Sequence, residues 1–146
     1  MKEYLDKALE EFKRVDHLLY VSLKYTRTVD VIKSVIHRLI TTYDCIMDGL
    51  LNRLLEEKKI KEIPTAPAMK AEIIKKEFRD DEKIVDNLDF YLLLRRLAKC
   101  KNIGKREEYR RHVTMIAHLS NTHTVEVKID DIKEYYLKAK YFLEYI

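Results

Sequence analysis

Only four glycines and prolines, Gly49, Pro64, Pro67 and Gly104, interrupt a chain of 146 residues. Backbones that must turn often need these residues, so their scarcity favours long helices with few breaks. Leu, Ile, Lys and Glu are abundant and form helices readily. Hydrophobic residues make up 47% of the chain, enough for one core without metal or disulfide staples. The expected fold is therefore all-α: an up-and-down bundle of about five helices forming a single domain over residues 1–146.

Apolar periodicity places the helices. Leu5, Ala8, Phe12, Val15, Leu19 and Leu23 recur every three or four residues and predict a helix over 2–25. A break follows at Tyr25-Thr26-Arg27-Thr28, with Thr28 as the cap of a long second helix over 29–59. Gly49 inside that helix marks a close helix contact or a slight bend. Pro64 and Pro67 define a linker, and Pro67 suits the first turn of a third helix over 67–79. Asp80-Asp81 caps a fourth helix over 82–100, whose run Phe90 to Leu94 is apolar nearly all round and suggests a central helix or an oligomer contact. Gly104 is expected to close it in the left-handed conformation. A fifth helix is predicted over 105–119, then a short extended piece, Val125 to Ile129, and a last helix capped by Asp130. Of the tyrosines on that helix, Tyr135 and Tyr136 join its apolar stripe, so packing explains them better than base stacking.

Positive charge is concentrated late in the chain. Residues 95–118 hold Arg95, Arg96, Lys99, Lys101, Lys105, Arg106, Arg110 and Arg111 against only Glu107 and Glu108, a surplus of +6. The whole chain carries +4, so everything else sums to −2. A local basic field of this kind points to an acidic partner such as nucleic acid.

Several chemistries are absent from the pattern. Two glycines cannot build a Walker or dinucleotide loop, and neither His-Glu-x-x-His nor the paired Glu-x-x-His of di-iron bundles occurs. Cys45 and Cys100 are far apart and read as reduced thiols. Glu108 and His112 could share a metal with His118 or His123, but a surface ion pair explains them equally well. No cofactor and no metal site is expected. The charged N-terminus and the lack of a long apolar run predict a cytoplasmic protein without a membrane segment. The Lys- and Glu-rich charged fraction, 37%, also fits a hot environment.

Arg111 and His118 carry the sharpest expectation. On a helix, seven residues return to within about 20° of the same direction, so the two would share a face away from Val113, Ile116 and Ala117. A guanidinium can grip a phosphate and an imidazole can move a proton near neutral pH. Together they could cleave RNA at the ribose 2′-hydroxyl without metal, the guanidinium stabilising charge on the phosphate.

The pattern Arg111-His112-Val-Thr-Met-Ile-Ala-His118, before a final helix, resembles the HEPN superfamily, whose signature is an arginine, a polar residue and then a histidine after four to six intervening residues. Ser120 stands where many members have a tyrosine. The resemblance implies a homodimer with Arg111 and His118 of both subunits at its seam, acting on RNA or nucleotides as a metal-independent ribonuclease of the toxin or defence type. It also implies, as the alternative, a non-catalytic nucleotide- or substrate-binding partner of a nucleotidyltransferase, while a toxin would have an antitoxin as its partner. In either case Lys105, Arg106, Arg110 and His112 would guide the phosphate backbone. A helical module that only binds an acidic partner, and a plain dimerisation domain, are the alternatives.

Overall fold

The computed structural model describes residues 1–146. Its helices follow the apolar stripes. Helix α1 (Lys2–His17) runs on through a π-helical turn, Leu18–Ser22, into a last turn, Leu23–Tyr25. The wider turn keeps Leu19 and Leu23 buried on the face that begins with Ala8, Phe12 and Val15. Thr28 then caps α2 (Val29–Glu56), its side chain accepting from the Val31 amide at 3.3 Å. Helix α3 (Pro67–Glu77) starts on its proline. Helix α4 (Glu82–Lys99) is capped by Asp81, which accepts from the Lys83 and Ile84 amides. Helix α5 (Ile129–Tyr145) closes the chain. No helix is long and apolar enough to cross a membrane.

Fourteen of the 28 residues of α2 are buried, more than a single amphipathic stripe requires. It is therefore the central helix, and α1, α3, α4 and α5 all pack against it. Gly49 sits where α1 begins: a Cβ there would lie 2.8 Å from Met1 Sδ and 3.0 Å from Tyr4 Cβ, so the glycine permits a close helix contact. Around Tyr43 the core is aromatic, with Phe142 stacked at 5.6 Å and Phe90 edge-on at 5.8 Å. The Tyr43 hydroxyl donates to Asn87 Oδ1 at 2.7 Å, and every buried side-chain polar atom has a partner.

The all-α expectation is corrected by the stretch after α4. In place of a helix over 105–119 the chain forms β1 (Ile103–Arg106) and β2 (Thr114–His118), and the extended piece that follows is β3 (Thr124–Lys128). The three make an antiparallel meander in the order β1-β2-β3. Ile103 pairs with Ala117 and Arg106 with Thr114, while Met115 pairs with Val127 and Ala117 with Val125. Strand alternation thus puts Met115, Ala117 and Val127 on one face, where they join the helical core together with Val113. An apolar run as short as Val113 to Ala117 matches helical and strand periods alike. Pairing with β1 on one edge and β3 on the other decides for the strand, because together they satisfy the backbone groups on both sides of β2.

Two expected caps also differ. Gly104 has no positive φ and lies within β1; α4 ends at Cys100 in an extended conformation instead. At the start of α5 it is Asp131, not Asp130, that accepts from the Lys128 amide, at 2.9 Å. Cys45 and Cys100 are free and half-buried.

The Asp44 carboxylate on α2 accepts from Tyr91, whose hydroxyl in turn accepts from Arg95. Burial raises the Asp44 pKa above the usual carboxylate range, against the lowering pull of the Tyr91 bond and Arg95. A folded-state pKa above the unfolded one means that protonation favours the fold. This contribution is complete below the ordinary value of about 3.9 and is lost as pH rises through the folded value. Asp44→Asn is therefore expected to gain stability relative to the parent as pH rises from about 3 to about 7. Chemical denaturation at both ends of that range checks it, and a difference independent of pH would contradict the assignment.

Candidate anion-binding site at the hairpin loop

Seven residues, 107–113, connect β1 to β2, and two of them are left-handed: Glu107 at φ 54° and Tyr109 at φ 67°. For residues with a side chain this conformation costs about 1–2 kcal/mol each. Contacts with the start of α2 hold the loop there. The Glu108 carboxylate accepts from the Val29 amide at 3.0 Å, and the Tyr109 amide donates to the Arg27 carbonyl at 2.6 Å. Val29 opens α2, so Glu108 supplies both a hydrogen bond and a negative charge to amides that have no partner inside the helix. Lys105 stands 3.7 Å from Glu108 and 3.9 Å from Asp30, which completes a small ion cluster at this corner.

Pinned in this way, the loop carries Arg111 and His112 to the half-buried Arg27 and to the start of α5. There Arg27, Arg111, His112, Lys128, Ile129, Asp130 and Lys133 enclose a concavity of about 450 Å³. Four cations and one carboxylate line it, with Ile129 as the sole apolar residue. None of the four cations lies within 4.0 Å of a carboxylate oxygen, whereas cations such as Arg38, Arg53, Lys70, Lys75 and Lys138 stand beside one. A single exposed ion pair is worth only about 0.2–1 kcal/mol. An anion entering here would instead meet several cations that already repel one another, and a guanidinium offers a fork of donors suited to phosphate.

The structure separates the residues that the helical reading had united. Arg111 precedes β2 and His118 ends it. The strand alone spans about 13 Å at 3.3 Å per residue, so the pair shares no face and no concavity within one chain. His118 Nδ1 lies 3.2 Å from Thr124 Oγ1, and with Arg96, Lys99 and Lys101 it borders a second basic hollow of about 430 Å³. Arg106 is paired with Glu126 across the sheet, Lys105 is in the corner cluster, and Arg110 is exposed on the turn. Of the six residues singled out in the sequence, only Arg111 and His112 meet in the first concavity. Arg27, Lys128 and Lys133 come from three other parts of the chain, and each looks like an ordinary solvated cation in its local sequence.

Glu108→Ala should destabilise the protein by about 1 kcal/mol, from the lost cap and the lost charge at the start of α2. Glu108→Gln, which keeps an acceptor, should fall between the two. Urea denaturation measures both, and an unchanged midpoint for the alanine variant would mean that the carboxylate does not anchor the loop. Comparison with protein-family models, with curated proteins and with solved structures finds no match for this chain.

Proposed function

We propose that the protein binds the phosphate groups of RNA or of a nucleotide in the concavity formed by Arg27, Arg111, His112, Lys128 and Lys133, as a binding module and not as a nuclease. The observation that supports this reading most directly is the convergence of four cations without carboxylate partners in a hollow large enough for a nucleotide. In a protein that only folds, like charges so placed cost stability and return nothing; binding a polyanion returns it. Arg111 keeps the phosphate-gripping role that its sequence context suggests. Cleavage by Arg111 and His118 of one chain is left out of the proposal, since the two border different hollows. Neither membership of the HEPN superfamily, nor a second subunit, nor an antitoxin or nucleotidyltransferase partner is required.

The test is RNA binding as a function of salt. Arg111→Ala and Lys133→Ala are each expected to weaken binding evenly across sequences and to reduce the salt slope by about one. Arg53→Ala, on the far part of α2, should change neither. Binding that ignores Arg111 and Lys133 would overturn the proposal. So would turnover of RNA in EDTA that His118→Ala abolishes, which would favour the metal-independent ribonuclease.

A further inference from the structure

Resting on the phosphate-binding reading above, we infer that Tyr109 is a base-stacking residue and that the ligand is single-stranded nucleic acid. Among the large hydrophobic side chains on the surface, Tyr25 at 78% and Tyr109 at 77% are the most exposed. Scattered exposed residues of this kind need no explanation, but these two are not scattered. The amide of Tyr109 is bonded to the carbonyl of Arg27, and Tyr25 ends the helical turn two residues before Arg27. Both residues therefore lie close to Arg27, which lines the cationic concavity, and Tyr109 is followed directly by Arg110 and Arg111.

Tyr109 is also held where a tyrosine is costly. Its φ of 67° suits glycine or asparagine, and a bulky aromatic there is a backbone outlier. The ring makes none of the aromatic contacts that hold Tyr43, Tyr91 and Tyr136 in place, and its hydroxyl has no hydrogen-bond partner. A strained loop that exposes an uncommitted ring one residue before Arg110 and two before Arg111 fits the pairing of aromatic platform and positive groove that binds unpaired bases. Paired bases in a duplex are stacked on one another and offer no free face to such a ring. Tyr25, two residues before Arg27 and with Lys24 Nζ 5.8 Å from its ring centroid, is a candidate second platform.

The experiment measures fluorescence anisotropy of the full chain with three probes: a labelled single-stranded 12-nucleotide RNA, its duplex, and inorganic polyphosphate as competitor. Tyr109→Ala should weaken single-strand binding about tenfold, as expected for loss of one stacked base. Tyr109→Phe should bind as the parent does, and polyphosphate competition should be the same for all three proteins. Tyr109→Gly gives the control for folding: its melting temperature should equal or exceed the parent's, because glycine relieves the left-handed strain, while its single-strand binding falls as in the alanine variant. Equal single-strand binding by parent and Tyr109→Ala would overturn the stacking role. So would a parallel loss of polyphosphate binding, which would make Tyr109 a support of the loop, or a parent that prefers the duplex. Arg111→Ala separates the two readings: it should weaken RNA and polyphosphate alike. If it changes neither, the phosphate site is wrong; if it weakens both while Tyr109→Ala is inert, only the stacking is wrong.

Discussion

Four amide groups at the start of a helix have no acceptor within it, and in this protein that requirement joins the bundle to the sheet. Half of the residues of helix α2 are buried, Val29 at its start among them, so its first turn cannot simply rely on water. Thr28 satisfies the Val31 amide from within the local sequence, and Glu108, 79 residues later, satisfies Val29. The second bond determines where the β1–β2 loop lies. From it follow the left-handed Glu107 and Tyr109, the position of Arg111 and His112 beside Arg27, and the wall that faces the start of α5. Without that docking the same basic residues would sit on a free hairpin tip.

Cations on this molecule stand both beside carboxylates and together without them. Some helical cations stand beside carboxylates, as in Lys75 with Asp89, Lys138 with Asp86 and Arg38 with Glu11. Lys105 and Arg106 of the sheet are paired too, but the cations of the first concavity converge without carboxylate partners. Surface pairs contribute little to stability individually, so their presence along the helices says little. Their absence where several cations meet is more informative, because mutual repulsion has to be sustained by the surrounding fold. The core can sustain it: one continuous apolar cluster includes residues of all five helices and of β2 and β3, and its buried tyrosine hydroxyls are hydrogen-bonded.

The helices were legible because each carries its own evidence. Periodic stripes such as Ile32, Val35, Ile36 and Leu39 repeat for many turns, and the caps Thr28 and Asp81 and the proline Pro67 lie next to the turns they begin. The sheet was not legible in the same way. Lys105 to His118 is rich in residues that helices tolerate, and its apolar part spans only Val113 to Ala117. The alternation of Val113, Met115 and Ala117 was present as a signal, matched by Val125 and Val127 across a polar turn, but it is too short to outweigh a helical period by itself. A strand lacks partners for its amides and carbonyls until another strand supplies them, so the decision lay in pairing and not in local preference.

The candidate site divides along the same line. The sequence alone determined that the chain would be mainly helical, where most helices begin, and that positive charge would gather between Arg95 and Arg111, since composition, periodicity and caps are local quantities. Only the tertiary structure decided which of those charges act together. Arg111 and His118 are seven residues apart, a spacing that unites them on a helix and separates them along a strand. Arg27, Lys128 and Lys133 reach Arg111 across more than eighty residues in one direction and about twenty in the other. Their meeting depends on how far apart the chain places them in space, which follows from Glu108 seated on the start of α2 and from β3 delivering Lys128 to the start of α5.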